Sequence, residues 1–351
     1  MKIYINIFEK IISLENLFLA WEEFKRGKQK KLDVQKFEFD LEQNIFQLHH
    51  DLINRTYKHG KYTSFYICDP KLRHIHKAEV RDRVLHHAIF QILSPLFEPT
   101  FITESFSCRI NKGTHKGVEH VKKILRKISK NYTKTCFVLK CDIKKFFDSV
   151  DHRILLNILD KSIKDEDTMW LLKEIVGSFI SERTTLFNCC GIPIGNLTSQ
   201  LFANVYMNKF DQFIKHDLKV KHYARYTDDF IVISDDREYL QKLLGTINVF
   251  LIQHLNLELH PEKVSIRKFN KNKGVDFLGY IILPHYKLVR IKTRKRMFKK
   301  MKEQARQYRD GSVSKETMDQ SMQSYLGVLS HANTYRLGEK FRNQYWYWIS
   351  E

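Results

Sequence analysis

Apolar residues recur along this chain at spacings of three and four, the period of one helix face. The pattern predicts a helix over residues 13–26 and a second over residues 41–52. Their apolar stripes are Leu14, Leu17, Phe18, Trp21 and Phe24, then Leu41, Ile45, Leu48 and Leu52. The basic run 25–31 between them is expected to be a solvated linker or a phosphate-facing turn.

Helical spacing returns further along the chain. It predicts helices after the loop 108–117 to about residue 129, over 155–159, 170–179 and 239–254, and after Gly195. Asp151 is expected to cap the helix that contains residues 155–159. The closing segment has enough apolar residues for a small helical bundle: Tyr325, Leu326, Leu329, Tyr335, Leu337, Phe341, Tyr345 and Trp346.

Short runs of β-branched and aromatic residues predict strands between these helices. Residues 62–67 alternate and are closed by Asp69-Pro70, and residues 136–141 form an apolar run that ends at Asp142. Residues 223–234 read as a β-hairpin, with Asp228 and Asp229 expected on an exposed turn at its tip.

Asp142, Asp228 and Asp229 are candidate metal ligands. Adjacent carboxylates repel, so ionising both favours a nearby cation, and Mg²⁺ prefers oxygen ligands. An Asp at the end of a strand, facing the pair, would complete a two-metal clamp with ions about 3.5–4 Å apart for phosphoryl displacement. The alternative is an ordinary hairpin, because Asp is common in turns.

Composition and charge point to a globular, nucleic-acid-binding protein. The 351 residues are 43% hydrophobic, enough for a large core. Lys and Arg number 60 against 40 Asp and Glu, giving a net charge of +20, which suits a polyanionic partner. Eleven basic residues and one acidic residue lie between Lys287 and Arg309. A basic protein without such a partner is the alternative.

The sequence also argues against zinc-binding, disulfide-bonded, secreted and membrane-spanning proteins. The six cysteines show no Cys-x-x-Cys spacing, which favours neither a zinc site nor disulfides and fits a reducing cytoplasm. The apolar start of the chain is cut off by Glu9 and Lys10, short of a secretory core. No stretch reaches the roughly 18 uninterrupted apolar residues of a membrane span.

The aspartate motifs resemble those of reverse transcriptases. Residues 226–229, Tyr-Thr-Asp-Asp, are similar to the family's Tyr-x-Asp-Asp motif, and Asp142 with Phe147 is similar to its first palm motif. Phe277, Leu278, Gly279 and Tyr280 resemble its primer grip. These motifs occur in the family's order and spacing, from about residue 60 onward.

One segment resembles a particular group of reverse transcriptases. It is residues 191–200, Gly-Ile-Pro-Ile-Gly-Asn-Leu-Thr-Ser-Gln. Most reverse transcriptases carry Gln before the second Gly, whereas Ile194 and the residues after it resemble the enzymes of diversity-generating retroelements. These are related to group II intron and retron enzymes. Residues 324–327 and 331–335 also resemble that group.

The resemblance implies an α+β fold, a right-hand polymerase. Its fingers would occupy residues 1–133 with part of 150–190. A palm, an antiparallel sheet backed by helices, would span residues 134–284, and a helical thumb residues 285–351.

The resemblance also implies roles for individual residues. Asp142, Asp228 and Asp229 would be catalytic, with Lys263 a general acid for pyrophosphate or, alternatively, a solvent lysine. Two Mg²⁺ ions, replaceable by Mn²⁺, would be held by Asp142, Ile143, Asp228 and Asp229. Arg73 would lie over the triphosphate, and Phe147 would exclude a 2′-hydroxyl. The nucleotide-binding set is Lys71, Arg73, Ile143, Phe146, Phe147, Ile194, Gly195 and Gln200.

The expected function is RNA-directed DNA synthesis from a retroelement RNA, inaccurate opposite template adenines. Expected partners are the template RNA and its DNA hybrid, deoxynucleoside triphosphates, and a small basic accessory protein oligomer, in a bacterial or phage-encoded cytoplasmic system. One alternative is a retron-like or antiphage-defence reverse transcriptase, against which the segment around Ile194 argues. Another is a catalytically silent RNA-binding protein on a polymerase scaffold, against which the three aspartates argue.

Overall fold

A four-stranded antiparallel sheet lies at the centre of the computed structural model, which describes residues 2–68, 72–185, 188–270 and 273–350. In spatial order its strands are β4 (Tyr223–Tyr226), β5 (Asp229–Ser234), β3 (Cys136–Asp142) and β6 (Ser265–Phe269). The register sets Asp229 between Tyr226 and Asp142. The predicted hairpin of residues 223–234 is therefore confirmed.

The two faces of this sheet pack into different cores. On β5, Phe230 and Val232 join one core, whereas Ile231 and Ile233 join the other. Successive side chains of a strand point to opposite faces, so the alternation follows from the sheet itself. By the same alternation Asp142 and Asp229 lie on the face of Val138 and Ile231.

Helices cover the first of these faces. They are α5 (Val80–Phe97), α7 (Phe146–Ser149), α8 (His152–Ser162), α9 (Glu166–Gly177), α10 (Leu197–Gln212) and α11 (Arg237–Leu255). α10 is the helix predicted after Gly195, and it is buried nearly all round, with Leu201, Phe202, Val205 and Tyr206 in the core. Asp151 accepts hydrogen bonds from the amides of Arg153 and Ile154, which confirms its capping role.

The N-terminal helices pack against α5 in the same core. They are α1 (Phe8–Ile12), α2 (Leu14–Lys25), α3 (Leu32–Phe39) and α4 (Leu41–Ile53). The predicted stripes on α2 and α4 are buried or partly buried. α3 was not predicted, because Leu32 and Phe39 are 75% and 89% exposed and only Val34 and Phe37 face the core. Two buried positions are too few to reveal the three- and four-residue spacing of a helix.

Strands β1 (Thr63–Cys68) and β2 (Leu72–Lys77) form a separate antiparallel hairpin that carries Arg73. It contacts the segment before α10, since the amide of His76 donates to the carbonyl of Ile194 at 3.2 Å. The strand predicted over residues 62–67 is confirmed. The predicted closure at Asp69-Pro70 and the candidate Lys71 lie outside the described residues.

The second core lies between the other face of the central sheet and the C-terminal part of the chain. α6 (Thr114–Ile128) borders it, followed by a small sheet of β7 (Val275–Phe277), β8 (Tyr280–Ile282) and β9 (Lys287–Val289). The predicted helical bundle is α12 (Ile291–Arg309), α13 (Lys315–Ser330) and α14 (Tyr335–Ser350). Four buried methionines fill much of its interior: Met297, Met301, Met318 and Met322.

The cysteines and the helices were also considered in the sequence for disulfides and membrane spans. All six cysteines lie among the described residues and are free. Within the described ranges, no helix combines the length and the apolar character that a membrane span requires.

Candidate active site

Three carboxylates meet at one end of the central sheet. Asp142 ends β3 and lies directly opposite Asp229, the first residue of β5. Asp228 belongs to the turn before β5, and its carbonyl accepts a hydrogen bond from the amide of Ile143 at 3.3 Å. The sheet register thus brings together residues that are 86 and 87 positions apart in the sequence.

The expectation that the aspartate pair sits on an exposed turn is wrong. Asp228 and Asp229 are both half-buried, and Asp229 is a strand residue. The reason is the pairing with β3, which places a neighbouring strand and its side chains beside the tip of the hairpin.

Burial and mutual repulsion govern the charge of these aspartates. Burial raises the pKa of Asp228 to about 6, and the neighbouring charge of Asp142 adds to the increase. Burial also raises the pKa of Asp229, while the ammonium of Lys140 opposes that increase. Carboxylates that repel one another in a partly desolvated site are stabilised by added positive charge.

Two lysines supply positive charge at the site. Lys263 Nζ donates to Asp142 Oδ1 at 2.5 Å, and Lys140 Nζ lies 3.3 Å from Asp229 Oδ2. Lys140 also donates to the carbonyl of Asp276, at 3.1 Å. Lys263 was a candidate from the sequence, whereas Lys140 was missed. Its signal was its position two residues before Asp142, on the same face of the strand.

The donor set fits a hard divalent cation. Among the described residues, no group of three or more His, Cys, Asp or Glu side chains is arranged to hold a metal ion. Nevertheless, Asp229 Oδ1 is buried without a hydrogen-bond partner, and all three aspartates offer the oxygen ligands that Mg²⁺ prefers. The side chain of Ile143 is buried in the core, so only its main chain is available to the site.

Two of the aspartates, Asp142 and Asp229, open onto a cleft of about 450 Å³ between the central sheet and the β7–β9 sheet. Asp142, Asp229, Lys140 and Lys263 line it together with further charged side chains: Glu262, Arg267, Asp276, Arg290 and Lys292. Five cationic and four anionic side chains thus line the cleft, and its Lys and Arg side chains are able to bind an anionic substrate.

Phe146 and Phe147 begin α7, with three residues between them and the end of β3. Phe146 is buried and Phe147 half-buried, with ring centroids 5.4 Å apart. Lys145 before them has a left-handed φ of 46°, which turns the chain sharply after the strand. The Phe147 carbonyl accepts a hydrogen bond from the amide of Ile192 at 2.8 Å. The segment before Ile194 therefore borders the aromatic pair.

Gly195 and Gln200 lie in a different place from the aspartates. Both line a second cavity, of about 500 Å³, between α2, β2 and the start of α10. Gly195 has a φ of 126°, and a Cβ there would lie 3.3 Å from Ile75 Cγ2. Gln200 and Arg73 are exposed. The structure thus divides the candidate nucleotide-binding residues between two regions.

The primer-grip candidates form the turn between β7 and β8. Phe277 and Tyr280 are buried, and Leu278 packs close to Gly117 of α6. Gly279 has a left-handed φ of 88°, and its carbonyl accepts from the amide of Arg290 at 3.0 Å. Through the bond from Lys140 to Asp276, this hairpin is tied to the aspartate cluster.

A known protein family matches about two thirds of this chain. The family described as "Reverse transcriptase (RNA-dependent DNA polymerase)" matches residues 44–282. This chain belongs to the reverse transcriptase family. The predicted α+β fold, a right-hand polymerase with an antiparallel sheet backed by helices, is confirmed, because both the matched family and the central sheet agree with it.

Several proteins are similar to this member of the family. Protein YkfC of Escherichia coli is 26% identical over 248 residues, covering 61% of this chain and 64% of that protein. The group II intron-encoded protein LtrA of Lactococcus lactis is 23% identical over 275 residues, covering 60% and 44%. The chain therefore spans less than two thirds of these curated relatives. An apo telomerase structure from Candida tropicalis, truncated from its C-terminal domain, matches with a TM-score of 0.47 and 14% identity, over 66% of this chain and 55% of that one.

Proposed function

We propose that this reverse transcriptase family member is an RNA-directed DNA polymerase, a nucleotidyltransferase that adds deoxynucleotides to a primer 3′ end. The observation that carries the proposal is the clustering of Asp142, Asp228 and Asp229 at one end of the central sheet, where Asp142 and Asp229 line a strongly charged cleft. Oxygen donors clustered at the end of a rigid sheet provide the fixed geometry that phosphoryl transfer requires.

Asp142, Asp228 and Asp229, with the main chain at Ile143, would hold two divalent cations, Mg²⁺ or Mn²⁺. Such ions, when bound, neutralise the developing charge on the transferred phosphoryl group and its leaving group. The chain's own contribution is position, because all three carboxylates sit on paired strands and their turn. Lys263, whose ammonium contacts Asp142, is proposed to donate a proton to pyrophosphate.

We assign the incoming nucleotide to the space between the aspartate cleft and the cavity lined by Gly195 and Gln200. Arg73 and Lys71 would contact the triphosphate, since a guanidinium fork suits phosphate oxygens. Phe146 and Phe147 would lie beneath the sugar, and Ile194, Gly195 and Gln200 beside the base pair. The contacts from Ile192 to Phe147 and from His76 to Ile194 support this, because they link the two regions through one segment.

The proposed domains are fingers over residues 1–133 with part of 150–190, palm over 134–284 and thumb over 285–351. α12 would track the duplex backbone, since its exposed face is strongly basic and its buried face is Met297, Met301 and Ala305. Phe277, Leu278, Gly279 and Tyr280 would position the primer strand. An A-form hybrid would be gripped through phosphates and 2′-hydroxyls.

Within this function we propose the diversity-generating retroelement subtype, with errors concentrated opposite template adenines. Residues 191–200 support the subtype by resemblance. The same resemblance supports a structured template RNA and a small basic accessory protein oligomer as partners, and a bacterial or phage-encoded system. A pair of near-identical repeats differing at adenines in the flanking DNA, beside a small accessory gene, would be the genomic mark of this subtype.

The function is tested by primer extension on a homopolymer RNA template with labelled deoxynucleotides and Mg²⁺. The wild type is expected to extend the primer, and Asp228→Asn, which keeps volume and removes charge, is expected not to. A folded wild type that binds the RNA and incorporates nothing would refute the polymerase and favour a silent RNA-binding protein. Equal extension by the two proteins would refute the site.

A further inference from the structure

Arg225 carries a fully buried charge on β4, two residues before the turn at Thr227. Arg225 and Asp211 of α10 are both 0% exposed. Arg225 Nε donates to Asp211 Oδ1 at 2.8 Å, and Nη2 donates to Oδ2 at 2.6 Å. Tyr223 also donates to Oδ1, at 2.8 Å. Because apolar residues of equal volume often stabilise a core as well as a buried ion pair, stability alone does not explain the pair.

The remaining hydrogen bonds of the Arg225 guanidinium go to the turn and to Ser105. Nη1 donates to the Thr227 carbonyl at 2.9 Å, and Nη2 donates to Ser105 Oγ at 3.0 Å. Arg225 lies on the helix-covered face with Tyr223, opposite the face of Asp142 and Asp229. The guanidinium therefore supports the turn from beneath, and Thr227 immediately precedes Asp228.

The turn needs such support because its backbone is strained. Thr227 has a φ of 55°, in the left-handed region that β-branched residues rarely adopt. Its hydroxyl is also held, 2.6 Å from Ser107 Oγ. A strained residue persists only where surrounding contacts over-determine it, and such residues cluster at active sites.

We propose that Arg225, oriented by Asp211, is a positioning residue that fixes the Thr227 turn and thereby the placement of Asp228. The inference rests on the proposed function, since the position of Asp228 matters to the reaction only in a polymerase. A lysine cannot substitute, because one ammonium does not reach both carboxylate oxygens, Thr227 and Ser105 in one plane as the guanidinium fork does. Arg225→Lys thus keeps the charge and loses the geometry.

Primer extension by wild type, Arg225→Lys and the matched control Tyr223→Phe tests this. Tyr223→Phe removes a bond to the same carboxylate without touching the turn. We expect Arg225→Lys to lower kcat about 100-fold, as misplacement by about 1 Å can do, with primer–template affinity unchanged. Tyr223→Phe should keep kcat within about twofold of wild type, because it leaves the Thr227 turn in place and it is misplacement of reacting groups that lowers kcat. An Arg225→Lys enzyme with wild-type kcat overturns the inference, as does an equal loss in Tyr223→Phe.

A rescue experiment separates positioning from general damage. Glycine adopts positive φ without strain. We therefore expect the double variant Arg225→Lys, Thr227→Gly to have a kcat at least about tenfold higher than that of Arg225→Lys alone. Failure to restore it overturns the role assigned to the strained turn. Should Arg225→Lys not fold, the pair Asp211→Leu with Arg225→Met replaces it, because this variant buries no charge.

A second readout does not depend on activity. Hydrogen exchange of the peptide containing Thr227–Asp229 is expected to be faster in Arg225→Lys than in wild type, with exchange in α10 unchanged. Unchanged exchange at the turn contradicts the inference. A folded wild type without any polymerase activity refutes the proposed function instead, and the exchange result still decides what Arg225 does.

Discussion

Replacing Lys140 by methionine tests whether this lysine joins the aspartate cluster to the β7–β8 hairpin. The change keeps the length of the side chain and removes its charge and its hydrogen-bond donors. Asp229 loses the ammonium 3.3 Å from its Oδ2, and the carbonyl of Asp276 loses a donor at 3.1 Å. The Lys140 side chain is only 25% exposed, so water replaces these contacts incompletely.

The size of the effect follows from these contacts. Leaving partly buried polar groups without a partner costs about 1–3 kcal/mol. For a chain of 351 residues, whose unfolding entropy is about 2.1 cal/mol/K per residue, each kcal/mol lowers the melting temperature by roughly 1–2 °C. The loss should be smaller with Mg²⁺ present, because a bound cation replaces the missing positive charge. We also expect kcat to fall about 10- to 100-fold, since the hairpin is no longer fixed relative to Asp229.

The assay is thermal unfolding with and without Mg²⁺, followed by primer extension. Lys144→Met is the matched control: it removes the same charge two residues beyond Asp142, from an exposed pair with Glu258. Such surface pairs contribute about 0–1 kcal/mol. Equal melting temperatures and rates in Lys140→Met and Lys144→Met would refute the reasoning, as would an effect of Mg²⁺ that is the same in Lys140→Met and wild type.

Three further predictions concern Asp228, His86 and Ile194. Asp228→Asn should abolish synthesis while the melting temperature stays equal or rises, because one of several repelling carboxylates is removed; a lowered melting temperature would contradict this. Burial lowers the pKa of His86 from 6.5 to about 3, so His86 stays neutral in the folded protein. In the unfolded chain this histidine binds a proton below about pH 6.5, so the free energy of unfolding falls as the pH drops from 6.5 toward 3. Between pH 7 and pH 5 the free energy of unfolding should fall by about 2 kcal/mol more in wild type than in His86→Gln, measured by urea titration. Ile194→Gln should lower errors opposite adenine roughly five- to tenfold, for one added contact of about 1 kcal/mol, as counted in cDNA copied from one defined RNA; equal error rates would remove Ile194 from the mechanism.

The aspartate cluster could be predicted from the sequence because each carboxylate follows a local signal. Asp142 ends an apolar run, and Asp228 and Asp229 interrupt a hairpin. Their half-buried state could not be predicted, since it depends on the register between β3 and β5, strands far apart in the sequence.

Arg225 shows the other limit. In the sequence it is one polar residue in a strand, and only its pairing with Asp211 of α10 reveals a buried charge. Lys140 lies between these cases: its spacing to Asp142 predicts a shared face, but its partner Asp276 belongs to a different sheet. The subtype, the accessory protein and the roles of the nucleotide-binding candidates stay predictions.

The methionines in the C-terminal bundle make its interior easier to deform than the core beneath α10. Met297, Met301, Met318 and Met322 are buried there, whereas Leu, Ile and Phe dominate the core beneath α10. Unbranched thioether side chains change rotamer with little loss of contact, so a methionine-filled interior deforms at low cost. The helices that the proposed function sets against a nucleic-acid duplex can therefore yield to changes in its width, while the aspartates stay on an unyielding sheet.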